Sequence, residues 1–310
     1  MTRGTSSSKL DGKLTWHESA RFVAMTVSPQ MLLDVVTEAD LPVGHIRRSG
    51  IADHARNNVG LCAGRNFQMP RGHAERYHAP KAMETLSLAE LLGDARSVKP
   101  EQQERLGFYG GERVQLWCAG DRSLLKRPAV AVVGTRNVSQ EGAARARRLS
   151  RDLVNAGVVI VSGLAKGVDT CALTSAMENG GHVIAVIGTP IDKAYPAENR
   201  PLQERIYADH LLISQFKPGT RVFPSNFPER NKLMAAISDA TVIIEASDTS
   251  GTLHQAAECV RLERWLFIAK SVLDDPELSW PRRFQGYERM RPLTETADVL
   301  AILHAQWPSK

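Results

Sequence analysis

Short apolar runs recur along the chain from residue 129 onward, and helical patterns separate most of them. The runs are 129–133, 158–163, 182–188, 211–216, 240–246 and 265–270. They are continuous rather than alternating with polar residues, which is typical of parallel strands whose two faces are both covered by helices. We therefore predict an α/β protein with a mostly parallel sheet and helices on both faces.

Helical patterns occupy several of the intervals between these runs and the end of the chain. They cover 139–156, 168–179, about 229–238, about 251–263 and 296–306. Gly157 and Gly180 are well placed to end the first two helices, because glycine adopts the backbone conformation that closes a helix. Before the first run we predict a short helix at 83–93 and an edge-like strand at 114–118.

Composition and pattern divide the chain into four parts. Residues 1–15 are polar and are predicted to be a disordered tail. Residues 16–110 are predicted to form a small helical and irregular N-terminal region. The sheet domain is assigned to 111–272, and 273–310 is predicted to be a short extension with one helix.

The chain of 310 residues has a net charge of +5, which suits an anionic partner without requiring one. Its apolar runs are far shorter than the ~20 residues of a membrane helix, and the N-terminus has no apolar segment typical of a secretory signal. We therefore predict a cytoplasmic protein with no membrane association. The four cysteines and nearby histidines match no zinc spacing, so neither a metal site nor a resident cofactor is predicted.

Three turns at the predicted carboxyl ends of strands carry residues suited to phosphate. They are 134–136, 162–169 and 247–253. Glycines allow the backbone to approach an anion, helix-opening amides and hydroxyls can donate to its oxygens, and Arg136 and Lys166 add positive charge. Because the carboxyl ends of parallel strands share one edge of a sheet, we expect the turns to form a single anion site. Each turn by itself could equally be a tight turn or a helix cap.

Two common nucleotide sites are excluded by spacing. The turn after the first run reads GTRNVSQEG and lacks the G-x-G-x-x-G of a dinucleotide site. Such a site also needs an acidic residue near the end of the second strand, where this chain has Ser162. The stretch GLAKG lacks the spacing of a P-loop. The remaining interpretation is a site that binds either a mononucleotide or the phosphates of a nucleic-acid backbone.

Five stretches now become recognisable as a set. They are VGTR (133–136), SGLAKGVD (162–169), AVIGTPIDKAYPAEN (185–199), FPERNKLMAAIS (227–238) and VIIEASDTSGTLHQAAECVRLER (242–264). In content, order and spacing this part of the chain resembles the DNA-processing protein A (DprA/Smf) family. The resemblance implies an extended Rossmann-like core that is not an enzyme and binds single-stranded DNA without sequence preference. It also implies work as a homodimer and help in placing a RecA-type recombinase on DNA.

The resemblance also assigns the basic site to particular residues. The candidate phosphate-binding and nucleic-acid-binding residues are Gly134, Thr135, Arg136, Ser162, Gly163, Lys166, Gly167, Asp169, Arg230, Asn231, Ser250, Gly251 and Thr252. Phe223 or Phe227, in the loop before Arg230, could stack on a base or could instead pack in the core.

A nucleotide-binding sensor or a nucleotide hydrolase of the same superfold is the alternative. In the related hydrolases a carboxylate follows the Gly-Thr turn, whereas this chain has Gln255, which cannot act as a base. Asp169 and Glu245 are the remaining acids near the predicted site, and both could instead accept hydrogen bonds from turn amides. No catalytic residue is assigned.

Overall fold

A single sheet of nine strands runs through the residues that the computed structural model describes, which are 76–93, 96 and 115–307. The strands are β1 (Glu84–Leu86), β2 (Leu116–Gly120), β3 (Ala129–Val133), β4 (Val159–Ser162), β5 (Val183–Ile187), β6 (Leu211–Ser214), β7 (Ala240–Ile243), β8 (Trp265–Ala269) and β9 (Met290–Leu293). The helices are α1 (Leu88–Leu92), α2 (Gln140–Asn155), α3 (Val168–Glu178), α4 (Arg200–Asp209), α5 (Asn226–Ala236), α6 (Thr252–Arg261), α7 (Lys270–Leu273) and α8 (Thr296–Gln306).

The strand order is β1-β2-β6-β5-β4-β3-β7-β8-β9. The seven strands from β6 to β9 in this order are parallel, whereas β2 pairs antiparallel with β6 and β1 antiparallel with β2. The predicted α/β class and the mostly parallel sheet are therefore confirmed. No helix in the described segments is long and apolar enough to cross a bilayer.

Side chains of each central strand point alternately into two hydrophobic cores. In β3, Ala129 and Ala131 belong to the core that α5 and α6 cover, whereas Val130 and Val132 belong to the core that α2, α3, α4 and α8 cover. All five residues of this strand are buried. Helices thus cover both faces, which explains why the strands are continuously apolar.

The helix α2 shows how local chemistry sets its ends. Ser139 is its N-cap and accepts a hydrogen bond from the Gly142 amide at 2.9 Å. The helix ends before Gly157, whose φ of +81° lies in the left-handed region that favours glycine. The predicted helix at 139–156 therefore differs from the observed one by a single residue at each end.

Two predictions before β3 differ from the structure. The segment 83–93 is not one helix, because 84–86 pairs with β2 as strand β1 and Ser87 then forms a capping box with Glu90 that starts α1. The strand predicted at 114–118 lies at 116–120, and it is not an edge strand because β1 covers it. Tertiary pairing here outweighs the local helical pattern.

The sheet extends beyond the range 111–272 at both ends, since β1 precedes it and β9 follows it. The segment 273–310 contains α8, as predicted, but also β9 and a 3₁₀ helix at Trp280–Phe284. The predicted tail at 1–15 and most of the predicted region 16–110 lie outside the described residues, and the domain division stays a prediction.

Candidate functional site

The strand order reverses beside β3, and this reversal creates an opening at the carboxyl edge of the sheet. β4 follows β3 on one side, whereas β7 lies on its other side. Loops after adjacent strands diverge at such a point, which leaves a crevice where ligands of α/β proteins bind. A cavity of about 400 Å³ occupies it, bordered by the loops after β3, β4 and β7 and by α5 and α6.

Most predicted site residues border this cavity. They are Gly134, Thr135, Arg136, Asp169, Arg230, Asn231, Ser250, Gly251 and Thr252. A smaller adjoining cavity of about 50 Å³ shares Arg136 and Arg230 with the first and adds Gly163 and Lys166. Three cationic side chains therefore meet at these adjoining cavities: Arg136 from the loop after β3, Lys166 from the loop after β4, and Arg230 from within α5.

The two remaining predicted residues, Ser162 and Gly167, line neither cavity but hold the neighbouring strands and loops together. Ser162 is fully buried in β4, where its hydroxyl donates to the Val132 carbonyl of β3 at 2.8 Å. Gly167 has a φ of +79°, and a Cβ there would lie 2.7 Å from the Arg136 carbonyl oxygen. Glycine at 167 thus lets the loop after β4 touch the loop after β3.

Arg230 and Arg136 differ in what their guanidinium groups contact. Arg230 is buried and donates from Nη1 to the carbonyls of Gly163 at 2.5 Å and Val186 at 2.6 Å. Burial lowers the pKa of Arg230 to about 10, while the charge of Asp169 opposes that shift. It therefore remains positive at neutral pH but is bound to the protein backbone. Arg136 is exposed and lies over the Phe227 ring, 5.8 Å from its centroid, where it can reach a ligand.

The two acids near the site both act as hydrogen-bond acceptors. Asp169 is buried, and its Oδ2 accepts from the amides of Gly163 at 3.0 Å and Ala165 at 3.3 Å. Burial raises the pKa of Asp169, and the nearby charge of Arg230 opposes this rise. The Glu245 carboxylate accepts from the Ser139 hydroxyl at 2.7 Å, which fastens the loop after β7 to the start of α2.

The turn before α6 presents hydroxyl groups at the opposite wall of the cavity. The Ser250 hydroxyl donates to the Thr252 hydroxyl at 2.8 Å, and Asn231 Nδ2 donates to the Gly251 carbonyl at 3.4 Å. Gln255, one turn into α6, donates from Nε2 to the Thr241 hydroxyl at 3.2 Å. This wall is polar but carries no cation among the residues that the structure describes at the cavity.

Several residues at the opening are not among the predicted site residues. Ser247 and Thr249 lie in the predicted turn 247–253 without being assigned to the site, and both line the larger cavity. Tyr195, which lines the smaller cavity, was missed. Glu198 is a further omission, since its Oε1 lies 2.7 Å from Lys166 Nζ. The stretch containing Tyr195 and Glu198 carries part of the family resemblance, but no local pattern indicates that it reaches the site.

Comparison with known proteins finds DNA-processing proteins among the relatives of this chain. The chain is 43% identical over 189 residues to DNA processing protein DprA of Streptococcus pneumoniae, covering 61% of this chain and 66% of that protein. It therefore spans just under two thirds of that relative.

Two solved structures share the fold. The X-ray structure of S. pneumoniae DprA matches with a TM-score of 0.57 and 35% identity, covering 71% of this chain and 74% of that one. The structure of Helicobacter pylori DNA processing protein A, described for its single-stranded DNA binding mode, matches with a TM-score of 0.59 and 24% identity, covering 72% and 96%.

The sequence profile of the family described as DNA recombination-mediator protein A matches residues 103–288. That match covers most of the sheet, both cavities and every predicted site residue. The chain therefore belongs to the DNA recombination-mediator protein A family.

Proposed function

We propose that this chain binds single-stranded DNA without sequence preference, and that it does so without catalysing a reaction. The observation that carries the proposal is the meeting of Arg136, Lys166 and Arg230 at one opening on the carboxyl edge of the sheet. Cations placed there attract phosphates of any sequence, because the backbone carries the same charge at every nucleotide. The H. pylori relative, described as binding single-stranded DNA, supports the proposal.

The three cations have different roles in this proposal. Arg136 is exposed and contacts a phosphate directly, whereas the buried Arg230 supplies a fixed positive charge beneath it. Lys166 lies at the edge of the smaller cavity and contacts the next phosphate along the strand. Hydroxyls of Ser250 and Thr252 donate to phosphate oxygens from the opposite wall.

Fluorescence anisotropy with a labelled 20-nucleotide oligo-dT and with a duplex of equal length tests the proposal. We expect tighter binding of the single strand and a logarithm of the binding constant that falls linearly with the logarithm of salt concentration. Arg136→Ala should weaken binding to any sequence and reduce the magnitude of this slope by about 0.7–1. Arg148→Ala removes the same charge from an exposed position of α2 and should change little. Equal affinity for the duplex would contradict the proposal.

A nucleotide-binding sensor is the second candidate, and the volume of the larger cavity favours it. About 400 Å³ falls within the range of small-molecule sites. Hydrolysis is less well supported, because Asp169 and Glu245 already accept hydrogen bonds from the surrounding backbone or hydroxyl groups. Calorimetry with unmodified mononucleotides distinguishes the two: tight binding of a mononucleotide without any binding of oligo-dT at low salt supports the sensor.

We further propose, from family membership, that the protein protects the bound strand, helps to load a RecA-type recombinase and acts as a homodimer. Light scattering coupled to gel filtration gives the mass in solution, and a monomer at all concentrations would contradict the dimer. Nuclease digestion of bound oligo-dT tests protection. A strand-exchange assay with a RecA-type recombinase and saturating single-strand-binding protein tests loading.

A further inference from the structure

Aromatic side chains are exposed next to the cationic opening. Within the described part of the chain, the large hydrophobic side chains that are exposed are Met83, Tyr195 and Phe223. Tyr195 and Phe223 are about half exposed, and Tyr195 lines the smaller cavity. Leaving an aromatic ring in water forgoes the free energy of burying it. Phe223 lines neither cavity, and the contacts between its loop and the loop of Tyr195 relate it to the opening.

The loops that carry these two rings are fastened to each other. The Gly219 amide donates to Asp192 Oδ2 at 2.8 Å, and Lys193 Nζ donates to the Thr220 carbonyl at 2.7 Å. The loop before Tyr195 and the loop before Phe223 therefore form one surface.

Phe227 connects this surface to the cavities. Its ring lies 5.4 Å from the Tyr195 ring, centroid to centroid, and it lines both cavities. A Cβ at Gly188 would lie 2.6 Å from Phe227 Cδ1, so the ring packs directly on the backbone of the loop after β5. We call Tyr195, Phe223 and Phe227 the aromatic rim.

Two of the three rings of the aromatic rim have an arginine over one face. Arg136 lies 5.8 Å from the centroid of Phe227, and Arg221 lies 5.6 Å from that of Phe223. Rings that alternate with cations suit a single-stranded nucleic acid, because bases stack on the rings while the cations follow the phosphates. A duplex cannot use such a surface, since its bases are already stacked and paired.

We propose that the single strand leaves the cationic opening across the aromatic rim, and that its bases stack on Tyr195 and Phe223. This inference rests on the proposed function and extends it, because it makes bases as well as phosphates part of the recognition. The footprint then runs from the cavities over the loop at 217–223, and the preference for single strands comes from the rim.

The test compares two 20-nucleotide ligands, oligo-dT and a chain of abasic sites with the same phosphates. Phe223→Ala and Tyr195→Ala should each weaken oligo-dT binding by roughly 5- to 150-fold, which corresponds to ~1–3 kcal/mol per stacked base. Binding of the abasic chain should change less than about two-fold, and the salt slope should stay the same, because neither variant removes a charge.

Two further variants complete the test in the full chain. Phe223→Trp keeps a stacking surface and should restore oligo-dT binding. Met83→Ala truncates an exposed apolar side chain that directly precedes the edge strand β1 and belongs to neither cavity nor the aromatic rim, so it should have no effect. The inference is overturned if the rim variants leave oligo-dT binding unchanged, as expected for a protein-docking surface, or weaken both ligands equally. If the unaltered protein binds neither ligand, the proposed function itself fails.

Discussion

Lys166 Nζ and Glu198 Oε1 lie 2.7 Å apart, although 32 positions separate the two residues in the chain. Lys166 belongs to the loop after β4, and Glu198 belongs to a 3₁₀ turn directly before α4. The hydrogen bond from Lys166 lowers the pKa of Glu198, so the carboxylate is ionised at neutral pH. Under the proposed function this carboxylate competes with phosphate for the lysine.

Replacing Glu198 by glutamine should therefore strengthen binding of single-stranded DNA. An exposed ion pair is worth ~0.2–1 kcal/mol, so we expect affinity for oligo-dT to rise by about 1.5- to 5-fold. Anisotropy titrations at low salt measure this. Asp274→Asn is the matched control, because it opens the exposed pair with Lys270 and changes net charge equally. An equal gain in both variants would mean that net charge alone is responsible.

Substituting Gly167 tests the contact between the loops after β3 and β4. Gly167 and Gly180 both have positive φ, but a Cβ at 167 would collide with the backbone of Thr135 and Arg136, whereas one at 180 meets no atom within 4 Å. We expect Gly180→Ala to cost ~1–2 kcal/mol of unfolding free energy. Gly167→Ala should cost ~1–3 kcal/mol more and weaken oligo-dT binding. Urea unfolding of both variants checks this, and equal losses would contradict the loop contact.

The C-terminal segment holds the loop after β7 in place. Trp280 is fully buried and donates from its indole Nε1 to the Ala246 carbonyl at 3.1 Å, while Asp248 accepts from the Trp280 amide at 2.8 Å. Trp280→Phe leaves the Ala246 carbonyl without this donor, which should destabilise the protein by ~1–3 kcal/mol. Because that loop leads to Ser250, oligo-dT affinity should fall as well.

Tyr287→Phe provides the comparison for the Trp280 variant. It removes a hydroxyl that donates to the Arg264 carbonyl at 2.8 Å, away from both cavities. Thermal unfolding should show a loss of stability for both variants, with reduced DNA affinity for Trp280→Phe alone. Reduced affinity in both variants would attribute the effect to general destabilisation.

Stability should fall on mild acidification because of His210. Its ring is packed edge-on against His182, with centroids 5.8 Å apart, and burial followed by the nearby His182 lowers its pKa. His210 of the unfolded chain therefore binds a proton near pH ~6.5, whereas in the folded protein it stays neutral until the pH falls further. The contribution of neutral His210 to the free energy of unfolding is constant above that pH. It is lost below that pH, by up to ~1.4 kcal/mol per pH unit, until the lowered pKa of the folded state is reached.

Urea unfolding at pH 7.5, 6.5 and 5.5 measures this loss, and His210→Gln should flatten the dependence between those values. The side chains of Asp209 and Arg205 also act on this histidine, in opposite directions, and both remain in the variant. A slope that is identical in the variant would show that His210 does not titrate in this range.

Local sequence patterns were sufficient for most elements of the sheet domain. The strand at 129–133 and the helix at 296–306 are found with the predicted bounds, and Gly157 follows the end of α2 as predicted. These features depend on side-chain periodicity and on capping groups within a few residues, and such information is contained in the sequence itself. The turns at 134–136 and 247–253 were recognisable from their glycines and hydroxyl-bearing residues, which are also local features of the sequence.

The tertiary structure alone decided how each polar side chain is used. Nothing near Arg230 in the sequence indicates that its guanidinium binds the carbonyls of Gly163 and Val186, or that Glu198 reaches Lys166. Likewise, 84–86 becomes a strand only because β2 lies beside it. Sequence patterns describe what neighbouring residues favour, whereas these contacts join residues that are far apart in the chain and that the topology of the sheet brings together. Their energies also depend on burial, which no local pattern contains.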